Sequence, residues 1–223
     1  RKPRIYLNDG KSNMKKMADA FPPIYQTQSC IKPCDFNKDG FVDFFIGAKA
    51  TPFQYGKIPA SSLMQNDGKG HFKDVTNTLA AGLVNIGFVT NAAWADINND
   101  QQLDLIVSLE WGGIEAFIFS KGKFIKKELT NKQGWWNFIL PVDIDGDGDI
   151  DFIAGNQGQN SLFQPTASEP VRMYYNDFDD NGTKEQIVTY YKQGSEIPMA
   201  AKMDLEKQMP FIKKKYLYAG DFS

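Results

Sequence analysis

Four short stretches of the chain place oxygen-bearing side chains at alternating positions. They read DFNKDGFVD from Asp35, DINNDQQLD from Asp96, DIDGDGDID from Asp143 and DFDDNGTKE from Asp177. When a backbone coils around one point, side chains at positions 1, 3 and 5 converge on it. Position 7 can then turn its carbonyl inward, and position 9 closes the sphere. Six to eight oxygens at roughly 2.3–2.6 Å is what calcium asks for. The first stretch offers Asp35, Asn37, Asp39, the Phe41 carbonyl and Asp43, and the second Asp96, Asn98, Asp100, the Gln102 carbonyl and Asp104. The third offers Asp143, Asp145, Asp147, the Asp149 carbonyl and Asp151, and the fourth Asp177, Asp179, Asn181, the Thr183 carbonyl and Glu185. Glycine at position 6 (Gly40, Gly148, Gly182) permits a turn that a β-carbon resists, and Gln101 replaces it in the second stretch. Asp, Asn and Gly favour plain polar turns as well, but four such stretches in one register argue for bound cations. They are not EF-hands, because position 12 is Ile46, Val107, Ala154 or Val188 instead of an acidic ligand. The Asp143 loop, with four carboxylates and the glycine, is expected to bind calcium most tightly, and the Asp96 loop, with Asn98 and with Gln101 at the turn position, most weakly.

Other chemistry finds less support. Structural zinc needs more soft ligands than Cys30, Cys34 and the lone His71 supply. The two cysteines, four apart in an extended strand, would lie about 13 Å apart at ~3.3 Å per residue, too far for a disulfide. His71 falls in a hairpin turn, no G-x-S-x-G motif occurs, and no phosphate-cradling glycine loop opens a helix. Trp111, Trp135 and Trp136 suit packing and, secondarily, stacking on sugar rings. The 25 basic and 27 acidic residues nearly cancel, so no global field recruits nucleic acid or a membrane surface. No apolar run approaches the roughly 18 residues needed to span a bilayer.

The elements that must carry the acidic stretches are strands. Each stretch runs into an apolar, β-prone segment such as DFFIGA or LDLIVSL. Between the stretches lie hairpin signals: IYLNDGKSNMKKMA from Ile5 matches LMQNDGKGHFKDVT from Leu63, each with a tight Asn-Asp-Gly turn. One full unit reads from Phe88 to Glu128 as four antiparallel strands, with the acidic loop between the first two. Successive acidic loops start 61, 47 and 34 residues apart, a loose version of the propeller-blade period. Helical periodicity is weak everywhere, with Ala200–Gln208 its best stretch. The expected fold is all-β: a β-propeller of four-stranded blades with calcium-binding loops, occupying residues 1–223 as a single propeller region. Residues 1–20 start in the second half of a blade, and KKKYLYAGDFS trails off without a partner hairpin. A partial propeller, an excerpt of a larger ring, is therefore expected.

The acidic loops and the NDGKGHF turn resemble the FG-GAP/VCBS repeats of integrin-α-type propellers. More narrowly, SCIKPCDFNKDGFVDFFIGA, GFVTNAAWADINNDQQLDLIVSLEW, GWWNFILPVDIDGDGDIDFIAGNQGQNSLF and MPFIKKKYLYAGDF resemble UnbV/ASPIC-associated surface proteins of Bacteroidetes. Cys34 and Gln101 depart from the pattern. The resemblance implies calcium as cofactor and a location on the extracellular face of the outer membrane, or secretion. It stops short of naming a ligand. With no catalytic constellation in the sequence, the leading expectation is a non-enzymatic binding or scaffold module, with other surface or outer-membrane proteins and glycans as the expected partners. The competing expectation is a calcium-dependent polysaccharide lyase or hydrolase on a propeller scaffold.

Overall fold

The computed structural model describes residues 3–158 and 161–215. The last eight residues, YLYAGDFS, lie outside the described residues, so the expectation that this stretch lacks a partner hairpin goes untested. Among the described residues the fold is all-β, with three short α-helices and one 3-10 turn, Ala81–Leu83. Chain packing divides it into two compact units: residues 1–52 with 58–157, and residues 53–57 with 158–223.

The first unit opens with a two-stranded hairpin, β1 (Tyr6–Asn8) and β2 (Met14–Lys16). A four-stranded antiparallel sheet follows in simple order: β3 (Thr27–Cys34), β4 (Asp43–Ala50), β5 (Ser62–Asn66) and β6 (Phe72–Asp74). A one-turn helix, α1 (Thr76–Leu79), leads on to β7 (Phe88–Ala95), β8 (Asp104–Ser120), β9 (Lys123–Val142) and β10 (Asp151–Asn156). These four form a second sheet in the order β10-β9-β8-β7.

β8 is not one straight strand. The Phe119 amide donates to the Asp104 carboxylate at 2.8 Å, although the two are 15 residues apart. Fifteen extended residues would span about 50 Å at ~3.3 Å each. The strand therefore doubles back, and the reversal falls at Trp111, held at φ +63°, with Gly112 and Gly113. Its first arm pairs with β7, and its second with the first arm of β9. Of the four strands expected between Phe88 and Glu128, the second and third are these two arms. The second arm of β9 belongs to a new pair, with β10.

Apolar residues explain the stacking. β3 alternates exposed and half-buried positions, whereas β4 is buried over most of its length, as a strand covered on both faces must be. Phe36, Phe45 and Leu63 meet Val89, Leu105, Val107, Phe117 and Phe124 in one core between the two sheets. Each fully buried side chain of this kind contributes about 1.5–3 kcal/mol. The Trp94 indole N–H adds a tie across it, donating to the Lys32 carbonyl at 3.2 Å. Cys30 and Cys34 are free thiols, and burial beside Asp43 and Asp35 pushes Cys34 up to about 12.

The second unit holds a three-stranded sheet, β11 (Arg172–Asn176), β12 (Glu185–Lys192) and β13 (Ser195–Pro198), in that order. Two helices, α2 (Lys202–Gln208) and α3 (Phe211–Lys215), bury Leu205, Met209 and Ile212 against Phe178, Ile187 and Ala200. α2 falls within the stretch of weak periodicity, and α3 was not expected. Lys213, Lys214 and Lys215 are exposed in the last turn of α3, where positive charge suits the helix dipole.

Candidate functional site

Each acidic stretch joins two antiparallel strands: β3 to β4, β7 to β8, β9 to β10 and β11 to β12. The four share one backbone. Position 4 (Lys38, Asn99, Gly146, Asp180) and position 6 (Gly40, Gln101, Gly148, Gly182) all have positive φ, between +55° and +93°. The sequence pointed to position 6 and missed position 4, where only Gly146 is a glycine. Asn and Asp tolerate that conformation better than most residues, so Asn99 and Asp180 were the available signals.

The hydrogen bonds repeat as closely as the dihedrals. The Asp35 carboxylate accepts from the Asp39 and Gly40 amides at 3.1 and 2.8 Å, and Asp96 accepts from Asp100 and Gln101 at 3.1 and 2.7 Å. Asp177 accepts from Asn181 and Gly182 at 3.1 and 2.8 Å, and Asp143 from Gly146 and Gly148 at 2.7 and 3.1 Å. Position 5 receives the amide of position 7 in every loop: Phe41 to Asp39, Gln102 to Asp100, Asp149 to Asp147 and Thr183 to Asn181, at 2.7–2.9 Å. Asn37 and Asn98 reach across to Asp39 and Asp100 at 2.8 and 3.0 Å.

Position 9 ties the loop to the sheet. Asp104, Asp151 and Glu185 accept the amide of position 2 in their own loops, from Ile97, Ile144 and Phe178 at 3.1–3.2 Å. Asp43 and Asp104 also accept an amide from the neighbouring strand, Asn66 and Phe119 respectively, both at 2.8 Å. Asp43 and Asp104 are fully buried. Burial pushes the Asp43 carboxyl up to about 6, with Asp39 and Asp35 adding to the rise against the opposing amide bonds, and it raises Asp104 as well.

The arrangement fits a hard divalent cation. The Oδ2 atom of Asp43 is buried with no hydrogen-bond partner, as is Oδ1 of Asp179. A buried, unpaired carboxylate oxygen is costly unless something positive meets it. Carboxylates also gather: oxygens of Asp143, Asp145 and Asp151 lie within 4.8 Å of one another, and so do those of Asp177, Asp179 and Glu185. Asp147 stands outside the first of these groups. Asp35, Asp39 and Asp43, and likewise Asp96, Asp100 and Asp104, do not gather so tightly among the described residues.

Successive loops of the first unit are also linked. The Lys38 ammonium donates to the Gln101 carbonyl and the Asn99 amide group to the Asp149 carboxylate, each at 2.5 Å. Elsewhere, His71 lies in the exposed β5–β6 turn, 3.4 Å from Asp67. Trp111 and Trp135 meet edge to face with centroids 5.0 Å apart. No helix among the described residues is long and apolar enough to cross a membrane.

Residues 35–107 match the model of the family described as FG-GAP-like repeat. The match spans the first two acidic loops, β4 to β7 and the start of β8. No curated protein matches the chain.

Proposed function

We propose that the chain is a calcium-stabilised part of a β-propeller that serves as a cell-surface binding or scaffold module, with each acidic loop holding a cation between the first two strands of a blade. The observation that carries the calcium reading is the buried, unpartnered Oδ2 of Asp43 in a loop whose backbone recurs three more times. Calcium supplies positive charge that lets four sets of crowded carboxylates sit in folded loops, and it performs no bond-making step. Asp35, Asp39 and Asp43 would hold it in the first loop, with Asp96, Asp100 and Asp104 in the second. Asp143, Asp145, Asp147 and Asp151 would do so in the third, and Asp177, Asp179, Asn181 and Glu185 in the fourth. The amides and loop carbonyls fix the coil around them.

The likeness of the long strings to UnbV/ASPIC-associated surface proteins supports an extracellular location and partners among other surface or outer-membrane proteins. Trp111 and Trp135, paired at the β8 reversal, are the natural contact for a glycan. The reading is tested by thermal unfolding before and after metal removal. Calcium at a hundredfold excess over its dissociation constant stabilises by about 2.7 kcal/mol per site. Stripping it should lower the melting temperature by several degrees, and magnesium should restore little, because it demands tight octahedral geometry. An unchanged melting curve after verified metal removal would end the calcium reading.

A further inference from the structure

Three of the acidic loops lie in the first unit, and each is joined to the next by two separate routes, one exposed and one buried. The exposed route starts at position 4, the residue held at positive φ. Lys38 there donates to the Gln101 carbonyl, position 6 of the second loop, at 2.5 Å. Asn99 donates to the Asp149 carboxylate, position 7 of the third loop, also at 2.5 Å. Both bonds land beside the position-7 carbonyl, one of the oxygens offered to the cation. Lys38 fixes the peptide that joins Gln101 to Gln102, and Asn99 holds Asp149 by its side chain.

The buried route starts at position 2. Phe36 is 1% exposed and meets the Phe119 ring edge to face, with centroids 6.2 Å apart. The Phe119 amide is the donor that caps Asp104, position 9 of the second loop. The Ile97 amide, from position 2 of that loop, donates to the same carboxylate at 3.2 Å. The Ile97 side chain packs on the cluster of Ala95, Ile106, Ile114 and Ile139, and so does Ile150 from position 8 of the third loop.

Carboxylates crowded in an empty loop repel one another. A cation draws positions 1, 3, 5 and 9 together and thereby sets positions 2 and 4, which alternate with the ligands and carry both routes. Exposed polar contacts alone transmit little, but packed side chains that change place with the loop can couple distant sites.

We propose that the three loops of the first unit take up calcium cooperatively, each loaded loop presetting its neighbour. The proposal rests on the calcium reading above and adds regulation to it: the unit answers calcium as one switch. The sign is informative, because two bound cations repel and Coulomb's law alone makes one loaded site weaken the next. Coupling is also reciprocal, so loading the second loop tightens the first by the same factor.

The test is a calcium titration of the metal-stripped chain followed by amide NMR, with Gly40, Gln101 and Gly148 reporting on the three loops. In the unmodified chain each curve should be steeper than a one-site isotherm. Lys38→Met keeps the aliphatic stem and the backbone strain but deletes the donor. It should separate the Gly40 and Gln101 midpoints by roughly a further fivefold, the low end of ordinary coupling between sites, and leave the spacing of Gln101 and Gly148 unchanged. Asn99→Gly keeps the positive φ and deletes the amide donor, and it should split the second junction and spare the first. A lysine acting only as a nearby positive charge opposes calcium, so its loss would tighten all three loops together. Independent one-site curves in the unmodified chain, or variants that shift the three loops alike, would overturn the coupling and leave the calcium reading standing. No response to calcium at any of the three reporters would end both.

Discussion

The second acidic loop offers a measurement of backbone strain with its own internal control. Its hydrogen bonds match those of the first loop to within about 0.2 Å at each shared position. The two differ at position 6, where Gly40 has φ +87° and Gln101 has φ +66°. A β-carbon in the left-handed region costs roughly 1–2 kcal/mol. A glycine there gives back roughly 0.4–1 kcal/mol through its freedom in the unfolded chain. Gln101→Gly should therefore stabilise by a net of about 0.5–1 kcal/mol. The Gln101 carbonyl that receives Lys38 is backbone and survives the change. Gly40→Gln should destabilise by a similar amount, because a β-carbon built on Gly40 meets nothing within 4 Å and adds no clash. Urea unfolding in saturating calcium reads both the strain in the fold and any strain relieved on binding. Calcium titration separates them. If the loop is preformed, the gain appears in stability alone; if it orders on binding, affinity rises by up to about tenfold for 1.4 kcal/mol. Opposite signs for the two swaps are required. A loss of stability in Gln101→Gly, or two changes of the same sign, would refute the strain argument.

Metal-free protein should respond to acid in the opposite sense from loaded protein. The Asp43 carboxyl is raised in the fold from about 3.8 to about 6, so folding favours its protonated form, and the apo protein should gain stability as pH falls from 7 towards 4. The gain is at most about 3 kcal/mol for a shift near two units. In saturating calcium the same proton competes with the cation, and stability should fall below pH 6. Urea midpoints across that window check both slopes, and parallel slopes would show that Asp43 faces no cation. Gly113→Ala should cost about 2 kcal/mol or more by differential scanning fluorimetry, because its β-carbon would land on the Thr130 carbonyl oxygen where two arms of the sheet close. A neutral result would mean that the turn after Trp111 can shift freely.

Strands and acidic loops were legible because their signals are local. A buried strand such as DFFIGAKA announces itself by β-branched and aromatic content, and an Asn-Asp-Gly turn carries its own hydrogen bonds. The doubling of β8 was also readable as two strands, although Trp111 at φ +63° gave no warning, since the glycines beside it are where a turn is expected. Gly113 is needed instead for its closeness to Thr130, a long-range fact that spacing cannot report. Both units contain acidic loops of one pattern, and what separates them is which apolar faces find partners: Leu205, Met209 and Ile212 close their own small core. Weak periodicity across Ala200–Gln208 hid a helix that this core, not intrinsic propensity, holds in place.

The position-9 carboxylate explains why an acidic loop and a β-sheet repeat travel together in this chain. One oxygen of Asp43 caps an amide of the next strand, and the other points into the loop with no partner. The first bond fixes where β5 begins against β4, so the residue that holds the loop closed also sets the register of the sheet. Register in turn decides which face of β5 carries Leu63 into the core. Uncompensated charge at Asp43 therefore strains more than a surface loop. It acts at the first rung of the β4–β5 ladder, next to Phe45 and Leu63, both fully buried. Asp104 occupies the same place between the two arms of β8, where Phe119 takes the part of Asn66. A cation bound at such a site would neutralise the charge on which strand pairing is hung.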